Sequence, residues 1–99
     1  MDLSAALAAA EKNFDRGVEA LKALVRIPSV SFPGFPGEPL EQSAEACAAL
    51  LREAGLEASL VRHPGAPPYV VGHMPRRAGL PTVLFYAHHD VQPPLREAL

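Results

Sequence analysis

Eleven of the 99 residues are proline, and their placement limits the fold more than any other feature, because a proline fixes φ and removes a backbone N–H. Pro28 stops any helix that approaches it, since the residue before a proline is pushed out of the α region. Pro28, Pro33, Gly34, Pro36 and Gly37 then make a rigid, turn-rich connection. Further breaks fall at His63-Pro64-Gly65-Ala66-Pro67-Pro68 and at Pro75-Arg76-Arg77-Ala78-Gly79-Leu80-Pro81. Regular structure has to fit between them.

The stretch ahead of Pro28 predicts one amphipathic packing helix over residues 4–26. Leu7, Phe14, Val18, Leu21 and Val25 recur at helical steps and lay a single apolar stripe along it. A second helix is predicted from about Pro39, a residue suited to a first helical turn, with Glu38 and Glu41 near the positive end of the macrodipole. Leu40, Ala44, Cys47, Ala48, Leu51 and Ala54 form its buried face, small enough to lie close to a sheet. Gly55 can adopt the left-handed conformation that closes it.

Three strands are expected after Gly55, over residues 56–62, 69–74 and 82–87. The first alternates, with Leu56, Ala58 and Leu60 on one side and Glu57, Ser59 and Val61 on the other, as a half-exposed edge strand does. Val83-Leu84-Phe85-Tyr86 is apolar without alternation, as expected of a strand covered on both faces. The expected fold class is therefore α/β, with two helices followed by three strands of a mixed sheet in a single domain spanning 1–99.

Composition excludes several functions. An apolar content of 48% can supply a core. Nine basic and eleven acidic side chains, dispersed, leave no stripe to neutralise phosphates, so nucleic acid is not an expected partner. The apolar run from Leu3 to Ala10 follows Asp2 instead of a positive segment and stops at Glu11 and Lys12, which is not a signal peptide. No stretch reaches the about 18 apolar residues of a membrane span. The lone Cys47 has no disulfide partner and fits a reducing, cytoplasmic location.

Chemistry concentrates where the third expected strand runs out, in Tyr86-Ala87-His88-His89-Asp90-Val91-Gln92-Pro93-Pro94. In open α/β sheets ligands bind beyond the carboxyl ends of strands. Extended residues two apart share a face, so His88 and Asp90 are expected to point one way and His89 the other. A neutral imidazole ligates zinc well when its second ring nitrogen is held by a carboxylate. Spacing alone leaves two readings open for this pair, a metal ligand with its orienting group or ordinary solvated loop residues, because a zinc site needs about three or four ligands.

The run Thr82-Val83-Leu84-Phe85-Tyr86-Ala87-His88-His89-Asp90-Val91-Gln92-Pro93-Pro94 resembles the first metal-binding motif of the zinc metallopeptidase family of acetylornithine deacetylase, succinyl-diaminopimelate desuccinylase, aminoacylase and carnosinase-like dipeptidases. Leu24-Val25-Arg26-Ile27-Pro28-Ser29-Val30-Ser31 resembles the segment after that family's first helix, and Leu51-Arg52-Glu53-Ala54-Gly55 its second helix ending. The resemblance reaches to Pro94 and implies the amino-terminal portion of a zinc-peptidase-like catalytic domain. It implies that His88 binds one of two zincs and that Asp90, the catalytic-site carboxylate, orients it. The implied substrates are dipeptides or N-acyl amino acids, and Gln92-Pro93-Pro94 leans toward the dipeptidase branch.

The family also uses a bridging aspartate, a Glu-Glu pair, another acidic ligand, a distant histidine and, in most members, an inserted lid and dimerisation domain. None has a match here, and Leu95-Arg96-Glu97-Ala98-Leu99 adds no such group. Hydrolysis requires both an activating metal and a base, so the chain is expected to be silent alone, marginally stable and self-associating. The alternative is a non-enzymatic binding or regulatory module that pairs an open sheet edge with another chain. Other candidates have plainer readings: His73 as a strand or rim residue, His63, Ser29 and Ser31 as turn residues, Arg76-Arg77 as a solvated loop, and Cys47 as a small buried hydrophobe.

Overall fold

The computed structural model describes residues 2–94; the stretch 95–99, expected to add no catalytic group, lies outside the described residues. Helices α1 (Ser4–Lys12), α2 (Phe14–Arg26) and α3 (Glu38–Glu53) precede strands β1 (Glu57–Val61) and β2 (Tyr69–His73). The strands form a two-stranded antiparallel sheet. The chain is α/β as expected, with one helix more and one strand fewer among the described residues than its sequence suggests.

Residues 4–26 form two helices because Asn13 interrupts them. Its side-chain Nδ2 donates to the carbonyl of Ala9 at 2.8 Å, the same oxygen that accepts its backbone N–H at 3.0 Å. A short amide side chain competing for an i−4 carbonyl disfavours regular helix. The ladder resumes at once, with Gly17 N–H donating to Asn13 O at 2.9 Å. The apolar stripe exists but is scarcely packed: Val18 is half-buried, Leu7, Phe14, Leu21 and Val25 are between 59 and 67% exposed, and neither helix fully buries a residue. The covered face of the small sheet is occupied by α3, which leaves α2 no sheet to lie on.

Helix α3 follows its sequence signals closely. Pro39 stands in its first turn with Glu38 and Glu41, and Arg52 lies in its last. At the other end Gly55 takes φ 95°, its N–H donates to Arg52 O at 3.0 Å, and Leu56 N–H donates to Leu51 O at 3.0 Å. This pair of bonds satisfies two terminal carbonyls and turns the chain into β1. Arg52 then ties the helix end to the strand, donating from Nε and Nη2 to Ala58 O at 3.2 and 2.9 Å. Leu40, Ala44 and Ala48 are buried as expected; Cys47 and Leu51 are half-buried, and Ala54 is exposed.

β1 pairs with β2 in the register Glu57↔His73, Ala58↔Gly72, Ser59↔Val71, Leu60↔Val70 and Val61↔Tyr69. The alternation read from residues 56–62 holds, with Ala58 and Leu60 turned toward α3 and Glu57, Ser59 and Val61 exposed. The third expected strand, 82–87, is not formed among the described residues. Val83, Leu84, Phe85 and Tyr86 are 71, 89, 90 and 95% exposed, the opposite of a strand covered on both faces. A strand exists only through its partners' hydrogen bonds, and no described segment pairs with this one. The nearest approach to a further ladder is an isolated parallel bridge between Val30 and Val91.

The core is correspondingly slender. Val30, Leu40, Ala44 and Ala48 are its buried apolar residues, joined by the buried hydroxyls of Ser29 and Ser43. The chain exposes 8352 Å², whereas a folded monomer of 10.5 kDa exposes about 5,400 Å². Its radius of gyration of 16.3 Å likewise exceeds the about 13 Å of a close-packed chain this long.

Candidate metal centre

Three separate parts of the chain converge on residues 89–91. The turn after Pro28 supplies Ser29, whose carbonyl accepts the Val91 N–H at 3.0 Å and whose Oγ lies 3.4 Å from the His89 carbonyl oxygen. Helix α3 supplies Ser43, whose Oγ is 2.9 Å from that same oxygen and 3.0 Å from His89 Nδ1. The segment entering β2 supplies the carbonyl of Pro68, 3.2 Å from His89 Nε2. A carbonyl only accepts, so Nε2 carries a hydrogen there. Ser43 and Ser29 both donate to the His89 carbonyl oxygen, and Ser43 Oγ stands beside the His89 ring as well.

His88 and Asp90 project the other way, as the period of extended chain predicts. His88 Nδ1 lies 2.8 Å from Asp90 Oδ1 and 3.1 Å from the Asp90 carbonyl oxygen. Both are acceptors, so Nδ1 carries a hydrogen, and in the neutral ring Nε2 then holds the lone pair. The His88 side chain is 77% exposed and that of Asp90 37%. The outcome is an exposed imidazole with a carboxylate on its Nδ1, the arrangement that raises ligand basicity and sets ring orientation at zinc centres.

The pair fits one share of a zinc site. Among the described residues no group of three His, Cys, Asp or Glu side chains comes together, so the remaining ligands are not assembled around His88. His73 stands elsewhere, with Nε2 3.2 Å from Glu57 Oε2 across the hairpin. His63 closes its own turn, Nδ1 donating to Pro64 O at 3.1 Å. Cys47 is half-buried, and burial pushes its thiol above the ordinary range, which suits a hydrophobe rather than a nucleophile. Two open grooves beside Leu40, Gly65 and Pro67 include neither His88 nor Asp90.

Ser29 and Ser43 are the functional surprise. Ser29 has the turn position expected of it, yet it is fully buried and bonded to residues 89 and 91; the sequence gives Ser43 no role. The available signal was positional, since Ser43 lies three residues after Leu40 and beside Ala44, on the stripe of α3 that faces inward.

Among the described residues no helix is long and apolar enough to cross a membrane. Comparison with protein-family models, with curated proteins and with solved structures finds no match for this chain.

Proposed function

We propose that the chain contributes the first metal ligand of a two-zinc metallopeptidase centre that hydrolyses dipeptides or N-acyl amino acids, and that it does not turn over substrate by itself. His88 is the ligand through Nε2, and Asp90 holds the ring in the required tautomer. The observation that carries this reading is the 2.8 Å contact between His88 Nδ1 and Asp90 Oδ1 on a side chain that is 77% exposed, which leaves Nε2 as the nitrogen for a metal. The resemblance of residues 82–94 to the family motif supports the choice of zinc and of amide substrates. Bound zinc in such a centre polarises the scissile carbonyl and activates water. A reducing, cytoplasmic location suits a chain with one cysteine.

The test follows the His88 ring by NMR during zinc titration, alongside dipeptidase and deacylase assays of the purified chain. A weak zinc response at His88 that is lost in Asp90→Ala, with no turnover, is the expected result. Tight stoichiometric zinc lost in His73→Ala, or a His88 ring indifferent to zinc, overturns the assignment. Turnover by the chain alone overturns the claim of silence.

A further inference from the structure

From residue 88 to residue 91 the chain alternates strictly between presenting and anchoring. His88 is exposed with the half-buried Asp90 beside it, while His89 and Val91 are tied to the body through Ser29, Ser43, Pro68 and the Val30 bridge. These ties are hydrogen bonds. Ser29 and Ser43 are 0% exposed, in a core that otherwise holds Val30, Leu40, Ala44 and Ala48. Burying a hydroxyl is unfavourable until it is bonded, and the bond then returns little net stability, so alanine at either site would fill the same space at lower desolvation cost. What the hydroxyls add is direction: both converge on one atom, the carbonyl oxygen of His89, and Ser43 also reaches its ring.

We infer that Ser43, with Ser29 and His89, is a positioning device for the metal ligand, fixing the backbone that follows residue 88 so that the His88 ring meets Asp90 with Nδ1 and offers Nε2 outward. The inference rests on the metal-ligand reading of His88. His89 is thus a structural histidine beside a functional one. Its ring bridges α3 and the entry to β2, which couples the metal segment to the helix and hairpin at once. Ser43 is a positioning residue: it touches neither the ligand ring nor a metal, and it acts through residue 89.

The experiment compares the full chain with Ser43→Ala, Ser29→Ala, His88→Ala and a packing control, Ala48→Gly. Two readouts are taken: the ¹⁵N shifts of the His88 ring, which report its tautomer, and the zinc response of that ring. In Ser43→Ala the helix content is retained, the Nδ1–H tautomer of His88 loses population, and the zinc response weakens by about tenfold, the lower end for groups that orient a ligand. Ser29→Ala shows the same change in smaller degree and serves if Ser43→Ala does not fold. Ala48→Gly lowers stability and leaves the His88 tautomer unchanged. Wild-type ring shifts in both serine variants overturn the positioning role. A zinc response that survives in His88→Ala overturns the metal reading instead, while the tautomer comparison still decides the role of Ser43.

Discussion

Gly72 of β2 lies directly under Leu51 of α3: a Cβ at residue 72 would stand 3.0 Å from Leu51 Cδ1 and 3.3 Å from Leu56 Cδ2. The missing side chain is what lets the helix rest on the hairpin. Alanine asks two leucine ends, both half-buried, to give by a few tenths of an ångström, whereas valine adds two methyl groups to the same space. Gly72→Ala is expected to cost less than about 1 kcal/mol and Gly72→Val about 2 kcal/mol, within the usual span for overpacking. Urea denaturation followed by circular dichroism measures both. A neutral valine would mean that α3 does not cross the hairpin at this point.

Asp90→Asn separates orientation from stability. The His88–Asp90 pair is too exposed, at 77 and 37%, for its loss to move stability by more than about 1 kcal/mol. An amide can still accept from Nδ1, but it carries no charge to raise the basicity of the ring. Zinc affinity at His88 is therefore expected to fall about tenfold, with the denaturation midpoint nearly unchanged. A midpoint that drops while zinc affinity holds would make the pair structural.

Cys47 makes a prediction with a definite sign. Burial raises its thiol in the folded chain, so the unfolded chain gives up this proton at lower pH than the folded one. The associated stability is fully present below the ordinary thiol range and is lost as pH rises through it toward the raised folded value. Cys47→Ala should flatten the decline of stability at alkaline pH. In the wild-type chain, alkylation by iodoacetamide should be slower when folded than in urea at the same pH; equal rates would contradict the burial of this side chain.

Sequence reading succeeded where structure is local. Pro39 and Gly55 bracket α3 because their backbone preferences act within one turn, and the alternation of 56–62 survives because β1 and β2 are neighbours joined by a short connection. It failed where structure depends on a distant partner. Val83-Leu84-Phe85-Tyr86 has the composition of a central strand, yet composition cannot furnish the neighbouring strands. The stripe of α2 has the periodicity of a packed helix without a surface to receive it. Asn13 is a different failure, a single side chain sharing the Ala9 carbonyl with the helix ladder. At the candidate site the outward pair was legible from the two-residue period. The inward anchors were not, because Ser29 and Ser43 meet His89 across 60 and 46 residues of sequence.

The exposed faces lead to a prediction about assembly. Leu84, Phe85 and Tyr86 are 89, 90 and 95% exposed, and an extended apolar segment without a backbone partner among the described residues invites pairing with a second copy of itself. Burying one phenylalanine per copy is worth on the order of 2 kcal/mol, so Phe85→Lys should weaken self-association by more than about tenfold. Helix content should not change, because this side chain packs against almost nothing within its own chain. Ala78→Lys adds the same charge in an exposed loop and controls for electrostatic repulsion. Sedimentation velocity over a range of concentrations distinguishes the cases: association reduced only in Phe85→Lys assigns the contact to residues 83–86, and equal behaviour of the two variants removes that segment as its cause.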